Sequence, residues 1–489
     1  MRSILLPTLL SVLCIHCSIN DAANISPPAS GRPDPGKPAP GTPTGEVSSN
    51  SVGGTRLKAR YLRAADGAEF AQGIFDTKLG TACAPGIAAD GRVRCLPSER
   101  YLMNDPELHF ADPSCQSAPL GGHYPFNGQR YGYTREPKDN GVHIYQATSK
   151  TPSNVAQAYR VNERGVCTEA AKDETWYPLA EIAPSEFVEG LVSKGADKGG
   201  VHARTFAGND GSRIFMSYAA TATDAECVVG LDATGTRRCL PLKEATEPRG
   251  DAFSTSTCGG TAGTFVDQSV DDAKFVVRGV GSTCGAWRVA VHEASPVRTA
   301  YQRDDKGVCV EAQGGRAVAI GKEVAPTTLP EVKESAPWGQ GRVKGLYYTV
   351  GDEPVSLRAQ FDTIRNEGCL FGTPDNGVST CLPFALRINS GYFADAACTS
   401  EAIADYSSSK ANGCDVPAPR YYLAPVDRGQ SKQGHVYEIA KLADNPGSLF
   451  ALNKNGVCEK TTLVAPGTYY QVGKEVPLSS FEKATVVDR

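Results

Sequence analysis

Apolar residues fall along this chain in short runs, many of them alternating with polar ones. RLKARYLR (56–63), AEFAQGIF (68–75), RIFMSYAA (213–220), KFVVRGV (274–280), VSLRAQF (355–361) and RYYLAPV (420–426) are typical. A period near two over such lengths predicts β-strands with one buried face. Asp66-Gly67, Asp90-Gly91 and Asn376-Gly377 punctuate the runs, as hairpin turns that need positive φ require. No stretch sustains a helical period. KDETW (172–176), SEFVEG (185–190), TLPEVKE (328–334) and SSFEKA (479–484) allow one helical turn each.

The runs repeat as a set. Cys, eleven residues and Cys-Leu-Pro occur at Cys83/Cys95, Cys227/Cys239 and Cys369/Cys381. The copies are roughly 143 residues apart, the signature of a triplicated structural unit. Phe-Asp-Thr precedes the pair at 75–77 and 361–363, where the second copy has Ala219-Ala220-Thr221. After it come Phe110-Ala111-Asp112-Pro113-Ser114-Cys115, Phe253-Ser254-Thr255-Ser256-Thr257-Cys258 and Phe393-Ala394-Asp395-Ala396-Ala397-Cys398. Strand-like motifs follow at Ile144–Ala147, Val291–Ala294 and Val436–Ile439. Gly-Val-Cys then ends at Cys167, Cys309 and Cys458, and Glu181, Glu323 and Glu475 close the order.

The expected fold is therefore all-β, built of three tandem repeats over 55–195, 196–338 and 339–489. Each has room for about eight short strands. Two four-stranded sheets per repeat would make a six-bladed β-propeller, which leaves few exposed edges. The competing architecture is three small β domains in a row. No junction between repeats is long and Pro-rich, which favours one compact body.

Residues 1–23 read as a secretory signal: Arg2, an apolar run from Ile4 to about Ile15, then polar residues, with cleavage near Ala22 or Ala23. Cys14 and Cys17 are lipidation candidates, although Leu13 and His16 before them depart from the small residue of a lipobox. Residues 24–54 form a Pro/Gly/Ser/Thr-rich spacer that cannot bury enough surface to fold. Directly after an export signal, such a spacer suits a stalk.

A net charge of −4 over 489 residues gives no electrostatic footprint for nucleic acid and little for anionic lipid. There are 16 Cys, and in an exported chain disulfides are the default. The expected bridges are Cys83–Cys95, Cys227–Cys239 and Cys369–Cys381, each contributing roughly 3 kcal/mol by loop closure. Cys115/Cys167, Cys258/Cys309 and Cys398/Cys458 recur, but Cys284 and Cys414 offer local alternatives to Cys258 and Cys398. The spacing leaves both pairings open.

Candidate chemistry is sparse. No metalloprotease, nucleophile-elbow, phosphate-loop or EF-hand motif occurs. No metal or cofactor is expected. His109, His123, His143, His202, His292 and His435 are spread singly, with His109 close enough in sequence to pair with Asp112. Asp76 and Asp362 have the form of paired carboxylates, but their repetition favours turn capping; the repeated Glu181, Glu323 and Glu475 likewise read as scaffold. Tyr131, Tyr133, Tyr421, Tyr422, Trp287 and Trp338 are candidates for stacking on sugars, against the commoner role of packing between sheets.

At Cys-Leu-Pro, Phe-Ala-Asp-x-x-Cys and Gly-Val-Cys the chain resembles a family of uncharacterised secreted or lipoprotein-like repeat proteins of myxobacteria. The likeness covers roughly residues 55–489 and is weakest in the second repeat. It implies the compartment and the repeat, and no activity, cofactor or catalytic residue.

The functional expectation is an exported, non-catalytic cell-envelope protein, secreted, periplasmic or anchored at the outer membrane. It would present loops to a protein or glycan partner, with a membrane contact only through an N-terminal lipid. The alternative is a hydrolase or lyase acting on polysaccharide from a propeller.

Overall fold

The structure is a computed structural model that describes residues 51–489, with interruptions. These fall at 99, 103–108, 123–129, 136–140, 150–154, 156, 162–165, 171–175, 248–250, 254, 260–261, 266–272, 284–285, 298, 305, 312–316, 374–376, 386–391, 406–418, 426–432, 445–448 and 462–467. The export signal, Cys14, Cys17 and the spacer up to residue 50 lie outside the described residues. So do His123, Cys284 and Cys414.

The fold is all-β and almost wholly antiparallel. Helical structure among the described residues is limited to single 3-10 turns such as Pro184–Glu186, Pro326–Thr328 and Leu478–Ser480. The sheets contain ten, eight, four, ten and seven strands. No propeller is detected among the described residues, and the sheets do not divide into six four-stranded blades.

Two patterns recur three times. The first is a meander that ends at Cys-Leu-Pro. Its opening strands are Leu57–Ala64, Val201–Gly208 and Val343–Val350. Each pairs with a second strand, Glu69–Asp76, Arg213–Ala220 or Glu353–Asp362. A third strand runs through the first cysteine of the pair and a fourth through the second: Thr81–Ile87 with Val93–Pro97, Val228–Asp232 with Arg237–Leu240, and Glu367–Gly372 with Ser379–Pro383. In the second meander the third strand is split, Ala225–Glu226 preceding Val228–Asp232. The turn before it needs positive φ in each copy and holds Gly80, Asp224 or Asn366. Glycine, or a short Asx side chain, tolerates that conformation best.

The second pattern is an outer sheet whose strand order is the same in all three copies; in the second copy Val228–Asp232 also pairs in parallel with Ala286–Val297 and joins it to the meander. In the first it runs Arg100–Leu102, Tyr131–Arg135, Val142–Ala147, Trp176–Ile182, Pro119–Gly122, His109–Phe110, Tyr159–Val161 and Cys167–Glu169. Ala245–Thr246 through Cys309–Glu311 repeat that order. Tyr421–Pro425 through Cys458–Thr461 repeat it from its second strand. The meander and the outer sheet thus differ in size and order and are not two equal blades.

Linking strands join one meander to the next. Glu189 bridges Arg94 of the first Cys-Leu-Pro strand, and Gly190–Lys198 then pairs with the second opening strand. Glu331 bridges Arg238, and Lys333–Glu334 pairs with the third opening strand. The C-terminal strand Lys483–Asp488 does the same between the third meander and the first: it pairs with Ser379–Pro383 behind it and with Leu57–Ala64 ahead of it. Arg489 exchanges backbone hydrogen bonds with Ala59.

Each such junction has its own core. The first packs Leu57, Tyr61, Ile74, Cys83 and Cys95 against Phe206 and Ile214. The second packs Val201, Tyr218, Cys227 and Cys239 against Val332, Val350 and Val355. The third packs Val343, Cys369 and Cys381 against Leu62, Phe70 and Ala484. A further core under each outer sheet ties it to its own meander, as Leu96, Tyr131, Ile144 and Phe187 do in the first.

The C-terminal strand covers two sheet edges at once, so its loss exposes both. A chain ending at Glu482 is expected to lose on the order of 5 kcal/mol or more, at about 1 kcal/mol net per ladder hydrogen bond. It should also aggregate on heating. Thermal unfolding beside the full chain reads this, and an unchanged midpoint would contradict the closing role of the strand.

Candidate functional site

The repeated carboxylates were the first candidates, and the structure places them inside the frame. Asp76 and Asp362 are fully buried, 0% and 1% exposed. Asp76 takes Arg56 in a fork, Nε to Oδ1 at 2.8 Å and Nη2 to Oδ2 at 2.6 Å. Its Oδ1 also accepts the amides of Lys78 and Leu79. Asp362 repeats the arrangement with Arg342 and the amides of Ile364 and Arg365. The same guanidinium groups donate to the carbonyls of Glu186 and Ser480, in the 3-10 turns that lead into the linking strands. Both Asp residues therefore cap turns and anchor an ion pair; they lie in different meanders and do not meet.

The second copy has lost both partners together. Gly200 stands at the Arg position and Ala220 at the Asp position, while the backbone bond from Thr221 N to Gly200 O survives. That bond matches Thr77 to Arg56 and Thr363 to Arg342. Removing one partner of a buried pair strands a charge, whereas removing both costs far less. The Arg side of this pair was visible in the sequence as Arg56-Leu57 and Arg342-Val343 against Gly200-Val201. It is recognisable only once the strand register is known.

A second arginine set works across the same joints. Arg94 Nη1 donates to Phe187 O while its Nε and Nη2 hold Asp90. Arg238 repeats this with Leu329 O and Asp232. In the third copy the position before the cysteine is Thr380, which is buried.

The three expected hairpin bridges are present: Cys83–Cys95, Cys227–Cys239 and Cys369–Cys381. Among the alternatives left open, the long pairs form: Cys115–Cys167, Cys258–Cys309 and Cys398–Cys458. Local pairing of Cys258 with Cys284 or Cys398 with Cys414 is thereby excluded. Cys115, Cys258 and Cys398 all have positive φ near 50°. Each turn is held by the residue three places earlier. Asp112 accepts the amides of Ser114, Gln116 and Ser117, Asp395 those of Ala397, Thr399 and Ser400, and Thr255 Oγ1 that of Gly259. Hydrogen bonds from Ser114 and Ser117 hold the Asp112 carboxyl far below its ordinary range. Asp112 is a loop cap, and His109 stacks on Trp176 instead, ring centroids 4.4 Å apart.

His143 Nδ1 meets Glu181 at 2.7 Å and His435 Nδ1 meets Glu475 at 2.6 Å. His292 stands in register with Glu323. The repeated Glu is thus a cross-strand partner. His202 is buried with its Nε2 3.2 Å from Asp224, outside hydrogen-bond geometry. Among the described residues, no group of three or more His, Cys, Asp or Glu is arranged to hold a metal ion.

The aromatic candidates separate cleanly. Tyr131, Tyr421 and Tyr422 are buried and Tyr133 is half-buried. Trp338 is half-buried, edge-on to Tyr347. Trp287 alone, among the described aromatic side chains, is exposed, at 59%.

Asp210 crosses the first junction. Its carboxylate accepts the amides of Arg56 and Leu57 from the opening strand of the first meander, besides Ser212 N and Oγ. Burial pushes its pKa up, but the Ser212 hydroxyl and these amides outweigh it and hold the group below its ordinary value. Asp66 reaches Val343 N in the same way across the third junction.

Two measurements follow from these joints. Asp76→Ala is expected to cost about 3 kcal/mol by stranding Arg56. Adding Arg56→Gly should recover at least about 1 kcal/mol, a coupling read by denaturant titration of the double-mutant cycle; strict additivity would refute the pairing. Asp210 has a lowered folded pKa, so its stabilisation is present above about pH 4 and lost as pH falls through the folded value. Asp210→Asn should therefore cost about 1–2 kcal/mol at pH 7. The gap to wild type should shrink below about pH 4. A gap that stays constant into acid would show that ionisation is not what matters.

No curated protein and no solved structure is significantly similar to the chain. A family model described as a family of unknown function, DUF7481, matches residues 54–481. That match carries neither a source organism nor a repeat assignment. It covers both recurring patterns and the six bridges among the described residues, and on it the chain belongs to the DUF7481 family.

Proposed function

We propose that the protein is an exported cell-envelope binding or scaffold protein, a disulfide-pinned frame that holds three outer sheets toward a protein or glycan partner. One observation carries this reading: every junction core encloses a cystine, with Cys83–Cys95, Cys227–Cys239 and Cys369–Cys381 each packed against the neighbouring meander. A frame whose joints are built around disulfides suits an oxidising compartment. The repeats at 55–195, 196–338 and 339–489 are read as one ring, since their meanders pair in succession and the C-terminal strand returns to the first. The repeated carboxylates support a frame, being held by arginines and backbone amides. Residues 1–23 would direct export and 24–54 would act as the stalk, with Cys14 or Cys17 as the point of any lipid.

The test is intact mass of the protein recovered from its native host, with cell fractionation. Reduction is expected to add at least twelve protons, two for each of the six bridges. Recovery from the cytoplasm with free thiols would overturn the reading. Replacing Cys83 and Cys95 by Ala is expected to cost about 2–4 kcal/mol. The double variant should still fold, since the junction keeps its ladder hydrogen bonds.

A further inference from the structure

The hairpin of Phe275–Thr283 and Ala286–Val297 outreaches its counterpart in the first copy, Tyr131–Arg135 with Val142–Ala147. Side chains alternate along a strand, so Trp287, Val289 and Val291 share one face. Val291 is buried with Val277, Phe275, Leu240 and Leu329, and Val289 packs at the margin of that core. Trp287 lies where the same face runs past the core into solvent. Its indole leans over Gly279: Cε3 and Cζ3 lie 3.6 and 3.8 Å from where a glycine Cβ would stand. The ring thus lies along the sheet in ordinary van der Waals range of that position. Its register partner is Ser282, and Ser282 and Thr283 are both exposed.

The tryptophan belongs to one copy only. Counting back four residues from Ile144, Val291 and Val436 gives Asn140, Trp287 and Lys432. A residue that serves the shared frame would recur, as the cysteines do; this one breaks the symmetry.

We propose that Trp287 is a carbohydrate-stacking site, the indole taking the flat C–H face of a pyranose while the hydroxyl of Ser282, on the same face of the sheet, meets the sugar's rim. This deepens the binding reading above and rests on it. The size of the patch selects the sugar. A single indole, at most about 250 Å² of side chain, is far smaller than the roughly 800 Å² per partner of a stable protein interface. It matches a single pyranose ring, whose C–H face packs on an aromatic plane. The exposed Ser282 hydroxyl beside it suits a polyol better than the apolar centre of a protein interface.

The chain has 3 Trp, of which Trp176 is buried and Trp338 half-buried, so the emission change present in wild type and absent in Trp287→Ala reports on Trp287. Chitotetraose and cellotetraose are titrated into the full, oxidised protein. The expected result is a saturable emission change with at least one of them. It should be lost in Trp287→Ala, with affinity reduced at least about tenfold by calorimetry, and kept in Trp338→Phe. Because Trp287 is exposed, Trp287→Ala should keep the wild-type melting temperature. The proposal is overturned if neither tetrasaccharide binds, or if Trp287→Ala binds as well as wild type. Equal retention of wild type and Trp287→Ala on insoluble chitin or cellulose would remove the site but leave the binding reading. Failure of the export and reduced-mass measurements would remove that reading independently of any sugar.

Discussion

A β-meander ends in two edges, and each edge is a row of unpaired amides and carbonyls that must be covered. In this protein the linking strands meet that demand. Each closes the Cys-Leu-Pro strand behind it and the opening strand ahead of it, by the same bonds each time: Cys95 N to Val188 O, Cys239 N to Pro330 O and Cys381 N to Glu482 O. Two of the links are continuous chain. The third is the C-terminal strand lying on Leu57–Ala64. The third meander and the first are therefore held together by the interaction that also joins each to the second.

The other conserved-looking features within the chain follow from that joint. The cystines fill its cores, and Arg94 and Arg238 tie the strand before each link to the turn that feeds it. Arg56 and Arg342 do so from the opening strand, with a buried Asp to hold the guanidinium in place. Hairpin-tip carboxylates reach across, Asp210 to Leu57 and Asp66 to Val343. At the remaining junction Glu353 takes Lys198 and the Tyr218 hydroxyl, and burial with the nearby Glu353 charge pushes Tyr218 up to about 12. Polar groups buried at a joint are stabilising only when each finds its partner. The second copy meets this condition by carrying neither Arg nor Asp.

Repetition within a chain separates frame from function. Residues present three times here sit at turns, joints and cross-strand pairs. Among the departures are Gly200 with Ala220, Thr380 in place of an arginine, and Trp287. The first is compensated inside the fold and the second is a buried hydroxyl. The third is directed outward, so one copy differs there in the surface it presents.

The short alternating runs and the recurring Cys-Leu-Pro spacing were enough to establish an all-β chain and to pair Cys83 with Cys95, Cys227 with Cys239 and Cys369 with Cys381. Strand period and short-loop cystines are local properties, legible wherever they occur. The order of the outer sheets, the long bridges from Cys115, Cys258 and Cys398, and the Arg56–Asp76 pair were not legible. Each joins residues distant along the chain whose meeting depends on register. Nor did the sequence separate Trp287 from Trp338, since exposure is settled by what lies opposite a side chain. Local periodicity thus determined the elements and the nearest bridges. Tertiary structure alone decided which edges meet, because edge pairing is a non-local demand that any strand of suitable length can satisfy.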